Sequence, residues 1–506
     1  MRLRRVAAFR YRARSSPTTP DDDSKEVMPM THAVPDELLD RAQWQTDPLA
    51  DQTMADILGP WESPALTASL ADLETGYATH WERIDVVNAV IGLWQDNAGL
   101  DHWHDRLPTV PRPIADALRD YVMAARELPD WADRAMIARA EEIFFDQGVL
   151  SCTLLFSASL PECYVVPDLA EVLHTTGQLE QRTDYRIRST AAMVFPVMMR
   201  GGLTEPAGGG IAQVLKVRLI HAMVRNLILR TSPQEAEALR ERGLVAAPVP
   251  ALRSALGSRT MQHALFAHGW DMARGLPCNQ EEQAYTLLTF GYVYLRGLRT
   301  LGVGLDEHDE RAVLHAWNVV GHLVGIRREL MAFTMPEAEA LFARMQARGR
   351  AALVEPDPRP GLADALFRNL AGVIPWPVAK PFPLLLSRRL IGARAAADLA
   401  IDGAVPFASR LLFVLLLGLA RLIDAVGRLF SPGFTISRLV TRVLGYHLLT
   451  KLLMDQTRPL KLPQGLLVQA QSMMGDWRDD RGAPGWLNAL EHRFTVAGRW
   501  SGATRP

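Results

Sequence analysis

The pattern of apolar and polar positions is helical along most of the chain. From about residue 36 onward, apolar residues recur every three or four positions, and alternation of the kind found in strands is scarce. Ala, Leu, Arg and Glu, which favour helices, are frequent throughout the same stretch. The sequence therefore predicts an all-α protein. The predicted helices lie near 36–57, 63–80, 84–97, 111–127, 130–147, 165–176, 183–200, 210–230, 280–301, 307–324 and 335–348.

Capping residues mark several of these helix ends. Asn279 followed by Glu282 has the spacing of a capping box at a helix start, as does Thr334 followed by Glu337. Gly302 and Gly325 stand where helices are predicted to end, because glycine readily adopts the left-handed conformation found there.

The segment 406–430 is unusually apolar. Positions 411–420 are apolar on every side of a helix, but Arg410 and Arg421 bracket only this short run. A membrane-spanning helix needs about 20 residues, and a longer span here would include Asp424 and Arg428. The segment therefore predicts a buried or interfacial helix, with peripheral membrane contact as an open alternative.

Composition limits the partners and the compartment. The 506 residues are 48% hydrophobic and carry a net charge of −1, which supports a large core and gives no general attraction to nucleic acid. Cys152, Cys163 and Cys278 are far apart and fit no zinc or iron–sulfur spacing. Their odd number favours a reducing, cytoplasmic compartment, and we expect Cys152 and Cys163 to pack as small apolar side chains.

Three regions are predicted along the chain. Residues 1–35 are first Arg-rich and then rich in Ser, Pro and Asp, and lack the apolar run of a secretory signal, which is typical of a disordered basic leader. Residues 36–400 form the main helical domain. Residues 401–506 form a C-terminal helical extension that contains the apolar segment.

One predicted helix, 210–230, carries a histidine on an apolar face. At about 100° per residue, Val217, His221 and Val224 share this face with Val214 and Ile228. Arg218 and Arg225 lie on one side of it, about 10 Å apart along the helix axis. This arrangement suits a flat apolar cofactor with acidic groups on one edge, of which haem is the obvious candidate. A hydrogen-bonded core histidine and two ion-pairing arginines are the alternative.

A second group of polar residues precedes this helix. Arg186, Thr190 and Met193 share one face of the helix 183–200, where a hydroxyl and a guanidinium could position dioxygen or a polar substrate group. Polarity at a helix start is the alternative explanation. Further upstream, a turn is predicted at Pro161, Glu162 and Tyr164, and Glu171 follows it.

The order of these motifs resembles one family. It is the haem oxygenase family of the latex-clearing proteins (rubber oxygenases) and the fungal oxygenase of the mycophenolic acid pathway, and the resemblance covers roughly residues 60–400. The motifs that carry it are Arg186-x-x-x-Thr190, Gly201-Gly202-Leu203, Val217-Arg218-Leu219-x-His221-Ala222-x-x-Arg225, Pro277-x-Asn279-Gln280-Glu281, Gly297-Leu298-x-x-Leu301-Gly302-Val303 and His315-x-Trp317-x-x-x-Gly321-x-x-x-Gly325-Ile326.

The resemblance implies a helical fold with a globin-like core around haem b. His221 matches the proximal iron ligand, Arg186 and Thr190 match pocket residues, and Glu171 falls by spacing alone near a proposed catalytic base. Ser189 stands where the latex-clearing proteins have a lysine that can bind iron. A haem-dependent oxygenase that uses dioxygen on a hydrophobic, unsaturated, isoprenoid-like substrate is therefore expected. The alternative is a non-catalytic binding protein that keeps the fold.

Overall fold

Helices account for the regular structure of the described chain. The computed structural model describes residues 34–430 except 60–69, 104–108, 176–182, 230–269, 271–273, 353–355, 373 and 375, and these ranges contain no strand. The all-α prediction is confirmed. The helices are α1 (Asp36–Ala42), α2 (Pro48–Leu58), α3 (Leu70–Ile91), α4 (Arg112–Ala125), α5 (Arg134–Gln147), α6 (Val149–Leu154), α7 (Leu160–Tyr164), α8 (Pro167–Thr175), α9 (Thr183–Met198), α10 (Gly210–Leu229), α11 (Gln280–Phe290), α12 (Tyr292–Leu301), α13 (Glu307–Leu323), α14 (Met335–Ala351), α15 (Arg359–Gly372), α16 (Phe382–Asp398) and α17 (Phe407–Phe430).

Several helix boundaries differ from the prediction for local reasons. The predicted helix 36–57 is two helices, because Pro48 disfavours a helical conformation at the preceding residue and begins α2. The predicted helices 63–80 and 84–97 are replaced over 70–91 by the single helix α3. The predicted turn at Pro161 and Glu162 is wrong, because Pro161 lies in the first turn of α7, where a proline needs no hydrogen-bond partner. Helices α6, α15 and α16 were not predicted.

The predicted caps are confirmed. Thr334 and Glu337 form a complete capping box at the start of α14. The Asn279 side chain accepts the Glu282 N–H, 3.0 Å away, at the start of α11. Gly302 follows α12 with a φ of +83°, and the φ of Gly325, just after α13, is +94°.

The described residues form two hydrophobic cores. The larger core is built mainly from α5–α7, α9 and α11–α16, and the smaller core from α2, α3 and α4 together with most of the buried face of α10. Two helices contribute to both. Helix α8 places Ala170 in the larger core and Val172 in the smaller one, and α10 places Val214 in the larger core and Leu219 in the smaller one. The two helices that carry Glu171 and His221 thus lie where the cores adjoin.

The predicted apolar helix is present as α17. It packs against α16, where the Phe413 and Phe382 ring centroids are 5.5 Å apart. In the described part of the chain, no single helix is both long and apolar enough to cross a membrane. By length and composition alone, one sharply bent pair, 134–147 with 150–164, passes the same test. The predicted leader, except residues 34 and 35, and the predicted extension beyond residue 430 lie outside the described residues.

Candidate functional site

His221 lies in the middle of α10, on a side of that helix that is only partly covered. Val217, His221 and Val224 are half-buried, whereas Val214 and Ile228 at the two ends of the predicted face are fully buried. The imidazole is therefore flanked along the helix by two partly covered valines. This arrangement places an imidazole beside an apolar surface.

The opposite side of α10 fixes the helix in the smaller core. Leu215, Leu219 and Ala222 are completely buried there. Tyr121 of α4 donates its hydroxyl hydrogen to the Leu215 carbonyl oxygen over 2.8 Å. Burial raises the pKa of the Tyr121 hydroxyl, which keeps the group a neutral donor. Packing on the far side of the helix thus sets the position of His221.

Arg218 is engaged by protein oxygens through three nitrogen atoms. Its Nε and Nη2 donate to the two carboxylate oxygens of Asp47 at 2.5 and 2.7 Å, and its Nη1 donates to the Leu323 carbonyl oxygen at 3.2 Å. The side chains of Arg218 and Asp47 are only 11% and 3% exposed. The pair is therefore buried and bidentate, the strongest geometry for a guanidinium and a carboxylate.

Arg225 is engaged in the same way, seven residues later. Its Nε donates to the Asp51 carboxylate at 2.9 Å, its Nη2 also donates to that carboxylate, and its Nη1 donates to the Cys278 carbonyl oxygen at 2.8 Å. The structure thus favours the ion-pairing alternative for Arg218 and Arg225 over the predicted pairing with the acidic edge of a cofactor. The physical reason is that each of the three nitrogen atoms of both guanidinium groups already donates to a protein oxygen.

The carboxylates of α2 that receive these arginines were missed in the sequence. Asp47 directly precedes α2 and Asp51 lies one turn further on, so the two carboxylates are spaced to meet arginines on a neighbouring helix. The arginines are about 170 positions away along the chain. Asp and Arg are common in this sequence, and no local pattern connects groups so far apart.

Gly325 shows how tightly the buried pair is enclosed. Its φ of +94° lies in the left-handed region, and a Cβ there would be 2.6 Å from the Asp47 carboxylate and 3.0 Å from the Arg218 Nε. The Gly325 carbonyl oxygen in turn accepts a hydrogen bond from the Gln280 side chain. A side chain at this position would therefore displace the pair that joins α2 to α10.

Glu171, predicted as a base by spacing, forms an ion pair with Arg274. Asp168, one turn earlier on α8, lies 3.3 Å from the same Arg274 nitrogen. Burial by itself would lower the pKa of Arg274, but hydrogen bonding and charge from Glu171, with a contribution from Asp168, raise it. The Arg274 guanidinium also lies 5.7 Å from the ring centroid of the fully buried Trp270. Glu171 is thus a carboxylate held by a fixed cation.

Helix α9 carries the remaining predicted site residues and packs against α10. Ser189, Thr190 and Met193 are half-buried. Arg186 belongs to the first turn of α9, but its side chain lies outside the described part of the structure. The structure therefore places the helix of Thr190 beside the helix of His221, while Glu171 is positioned separately, on α8.

The turn between α9 and α10 depends on a residue that the sequence did not single out. Glu141 of α5 is 4% exposed, and its Oε2 accepts the Gly201 N–H at 2.9 Å. Burial raises the pKa of Glu141 to about 7, against the opposing effect of the N–H groups of Gly201, Gly202 and Leu203. This carboxyl thus fixes the turn that connects two site helices, and its only sequence signal was an acidic residue on an otherwise buried face.

The amino-acid sequence matches a known protein family. Residues 154–423, more than half of the sequence, match the model of the family described as ER-bound oxygenase mpaB/B'/Rubber oxygenase, catalytic domain. The chain belongs to this family. The matched range contains the whole π-helical turn 155–159, the helices α7–α16 and about the first two thirds of α17.

A curated relative and a solved structure agree with this assignment. The chain is 24% identical over 298 residues to the rubber oxygenase of Streptomyces sp. (strain K30), a match that covers 58% of this chain and 64% of the relative. The chain therefore spans less than two thirds of that relative's length. The structure of a latex clearing protein in the closed state aligns with a TM-score of 0.51 at 19% identity, over 75% of this chain and 85% of that one. This likeness shows a shared helical fold.

The match to this mpaB/rubber-oxygenase family covers the site residues that the sequence resemblance predicts. His221, Thr190 and Glu171 all lie inside the matched range. Ser189 occupies the position for which the resemblance predicts an iron-binding lysine, and a hydroxyl cannot provide that amine. The chain therefore offers an imidazole on α10 without the matching amine on α9.

Proposed function

We propose that the chain is a haem-dependent oxygenase that uses dioxygen on a hydrophobic, unsaturated, isoprenoid-like substrate. Membership of the mpaB/rubber-oxygenase family supports the reaction class. The name of the Streptomyces relative, a rubber oxygenase, supports a hydrophobic polymer-like or oligomeric substrate class. The proposal also assigns haem b as the cofactor and His221 as its protein ligand.

The position of His221 is the observation that carries the proposal. A half-buried imidazole lies between two half-buried valines, on a helix shared by two cores. Ligand sites are commonly found where two packed units adjoin, in apolar clefts with few polar groups. In the described part of the chain, no cluster of three or more His, Cys, Asp or Glu could hold a metal ion. Haem iron needs only one protein ligand on its proximal side.

The residues present fit haem at the iron and not at the propionates. An imidazole nitrogen is the usual proximal ligand of haem iron, and apolar side chains pack against the porphyrin plane. Arg218 and Arg225 form ion pairs with Asp47 and Asp51, so the proposal does not assign them to the haem propionates.

The residues of the chain have separate roles in this proposal. Haem supplies, when bound, an iron centre at which dioxygen is activated for attack on a carbon–carbon double bond. His221 provides the neutral nitrogen, and Val217 and Val224 exclude water beside it. Arg274 holds the Glu171 carboxylate in one orientation, as a base that can accept a proton from the substrate. Thr190 provides a hydroxyl for a polar group, and Arg186 is proposed as a second pocket residue.

The absorption spectrum of the purified, haem-supplemented protein tests the proposal. We expect a Soret band that is lost in His221→Ala and retained in His308→Ala, a matched substitution of an exposed histidine. Circular dichroism establishes that both variants are helical. A colourless wild-type protein, or an unchanged band in His221→Ala, would refute haem binding at His221 and favour a non-catalytic binding protein.

Oxygen consumption with unsaturated isoprenoid oligomers tests the reaction separately. We expect uptake by the haem-loaded protein and carbonyl-containing products by mass spectrometry, with saturated oligomers of equal length as the control. Haem binding without uptake on any unsaturated oligomer would leave the cofactor assignment standing and overturn the substrate class.

A further inference from the structure

Helix α17 exposes a continuous apolar face in the described structure. Its exposed apolar side chains are Phe407 (78%), Leu411 (46%), Val414 (59%), Leu415 (59%), Leu416 (49%), Leu419 (53%), Leu422 (61%) and Val426 (47%). Among the described residues, large exposed apolar side chains are otherwise few and scattered, as with Trp44 on the N-terminal side and Met123 on α4. An apolar area of this size on one element marks a site of interaction.

The exposed residues occupy one side of the helix and the covered residues the other. At about 100° per residue, the exposed apolar positions span an arc of about 200°. Ser409, Phe413 and Leu417 are on the opposite side, where Ser409 is buried and Phe413 meets Phe382 of α16. The helix therefore rests on the protein by one narrow face.

Three basic positions in the sequence of α17 fall at one border of the apolar arc. Helical periodicity places Arg410, Arg421 and Arg428 within about 20° of one another, directly beside the apolar positions. Burial lowers the pKa of the Arg388 guanidinium of α16; Asp402 opposes this, and the exposed Arg410 adds a smaller lowering. A row of arginines along an apolar face is the arrangement of helices that lie in the headgroup region of a bilayer.

The turn that packs against α17 also exposes apolar side chains. Trp376 is 68% exposed and Val378 is 39% exposed, and α17 packs against the turn Pro377–Ala379. Tryptophan is enriched at the boundary between membrane and water because its ring is apolar and its N–H is polar. An exposed tryptophan thus accompanies the apolar face of α17, as is common in interfacial segments.

The charge of this region favours an anionic partner. Residues 376–430 contain seven Lys and Arg and three Asp and Glu, although the whole chain has a net charge of −1. We propose that α17, together with Trp376 beside the turn that it packs against, docks the protein in the interface of a bilayer that contains anionic lipid. The same excess of positive charge opposes pairing of this surface with a second copy of itself. The proposal is independent of haem and of the proposed reaction.

A fluorescent label on α17 provides the first test. The three cysteines of the sequence are all buried, so an environment-sensitive thiol probe can be directed to Leu415→Cys. We expect a blue shift and increased emission with vesicles of phosphatidylcholine and phosphatidylglycerol, and a smaller change with phosphatidylcholine alone. Met123→Cys, at an exposed apolar site on α4, is the matched control and should not respond.

Other occupants of the surface give different results with the same label. A label that is already in an apolar environment without vesicles, at every protein concentration, would show that residues 431–506 cover α17. A change that follows protein concentration rather than lipid would show pairing of two copies. Either result, or a label that stays in water with every vesicle, overturns the proposal.

Vesicle flotation of full-length variants separates the apolar and electrostatic contributions. Leu415→Glu with Leu419→Glu should reduce binding at least tenfold, since buried charges oppose insertion. Arg410→Gln with Arg421→Gln and Arg428→Gln should also reduce binding at least tenfold, because each basic residue near an anionic surface adds to the attraction. Met123→Glu should bind as the wild type does. Unchanged binding of the leucine variant, with its helical spectrum intact, overturns the proposal.

Discussion

The side chains of α10 show how one helix face can contain residues of different kinds. Val217, His221 and Val224 are half-buried, as expected for side chains that face a ligand or a cleft. Arg218 and Arg225, on the neighbouring side, hold the buried carboxylate of Asp47 and the partly exposed carboxylate of Asp51. A histidine with apolar neighbours could be recognised in the sequence, whereas the partners of the arginines could not, because ion pairs depend on which helices meet.

The Arg218–Asp47 pair gives a prediction about stability. Asp47→Asn leaves a buried guanidinium without its counter-charge, and the free energy of unfolding should fall by about 3–5 kcal/mol. Asp364→Asn, which removes an exposed partner of Arg368, should change it by less than about 1 kcal/mol. Urea unfolding measures both. If Arg218→Ala instead weakened haem binding with no change in stability, the role at the acidic edge of haem would be restored.

Glu141 gives a prediction about pH. Its pKa is raised to about 7, mainly by burial, so between about pH 4.5 and 7 the folded protein keeps a proton that the unfolded chain has released. The contribution of this group to the free energy of unfolding is complete below pH 4.5. It falls by about 3 kcal/mol as the pH rises from 4.5 to 7. Glu141→Gln keeps an acceptor for the Gly201 N–H and should remove this dependence.

The measurement is the free energy of unfolding in urea from pH 4 to pH 8. Glu142→Gln, at the exposed neighbouring position, should retain the pH dependence of the wild type. If Glu141→Gln and the wild type had parallel profiles, the protonated carboxyl would have no place in the turn between α9 and α10.

At the scale of the elements, this turn determines how α9 and α10 meet. Gly208 and Gly210 belong to a run of three glycines, a composition typical of a flexible connection, but both are packed against backbone. A Cβ on Gly208 would be 2.2 Å from the Gly201 carbonyl oxygen, and the Gly210 N–H donates to the Gly202 carbonyl oxygen at 2.9 Å. The turn is therefore compact. Glycine is needed at these positions because the backbone segments approach one another closely, and not because the chain must be flexible there.

Gly208→Ala tests this turn. Because the contacting atoms are backbone and cannot move aside cheaply, we expect a loss of about 1–3 kcal/mol, together with weaker retention of haem at His221. Gly304→Ala, at a position with no atom within 4 Å of the added carbon, should change stability by less than about 0.5 kcal/mol. Equal stability of the two variants in thermal unfolding would contradict the compact turn.

Helix boundaries were predictable where a local residue sets them. Thr334 with Glu337, Asn279 with Glu282, and the glycine at 302 were sufficient, because a cap is a contact within a few residues. The break between α11 and α12 was not predicted. Gly291 packs there against Trp317 of α13, a contact with another helix that has no counterpart in the local sequence.

At the scale of the molecule, the all-α class and the order of the helices followed from periodicity, because it repeats over hundreds of residues. The division into two cores did not. It depends on the long-range partners of α8 and α10, which place Val172 and Leu219 in one core and Ala170 and Val214 in the other. The ion pair of Arg274 with Glu171 also joins residues that are far apart along the chain. It could therefore be identified only from the structure.

The place of α10 between the two cores has a consequence for the life of the chain in a cell. A molecule that binds the folded form at His221 stabilises it by mass action, by about 2.7 kcal/mol at a hundred times its dissociation constant. Since α10 completes both cores, that stabilisation is not confined to one part of the described protein. Chains made when the proposed cofactor is scarce would then open more often and be degraded sooner. Cofactor supply would thus set the abundance of this protein as well as its activity.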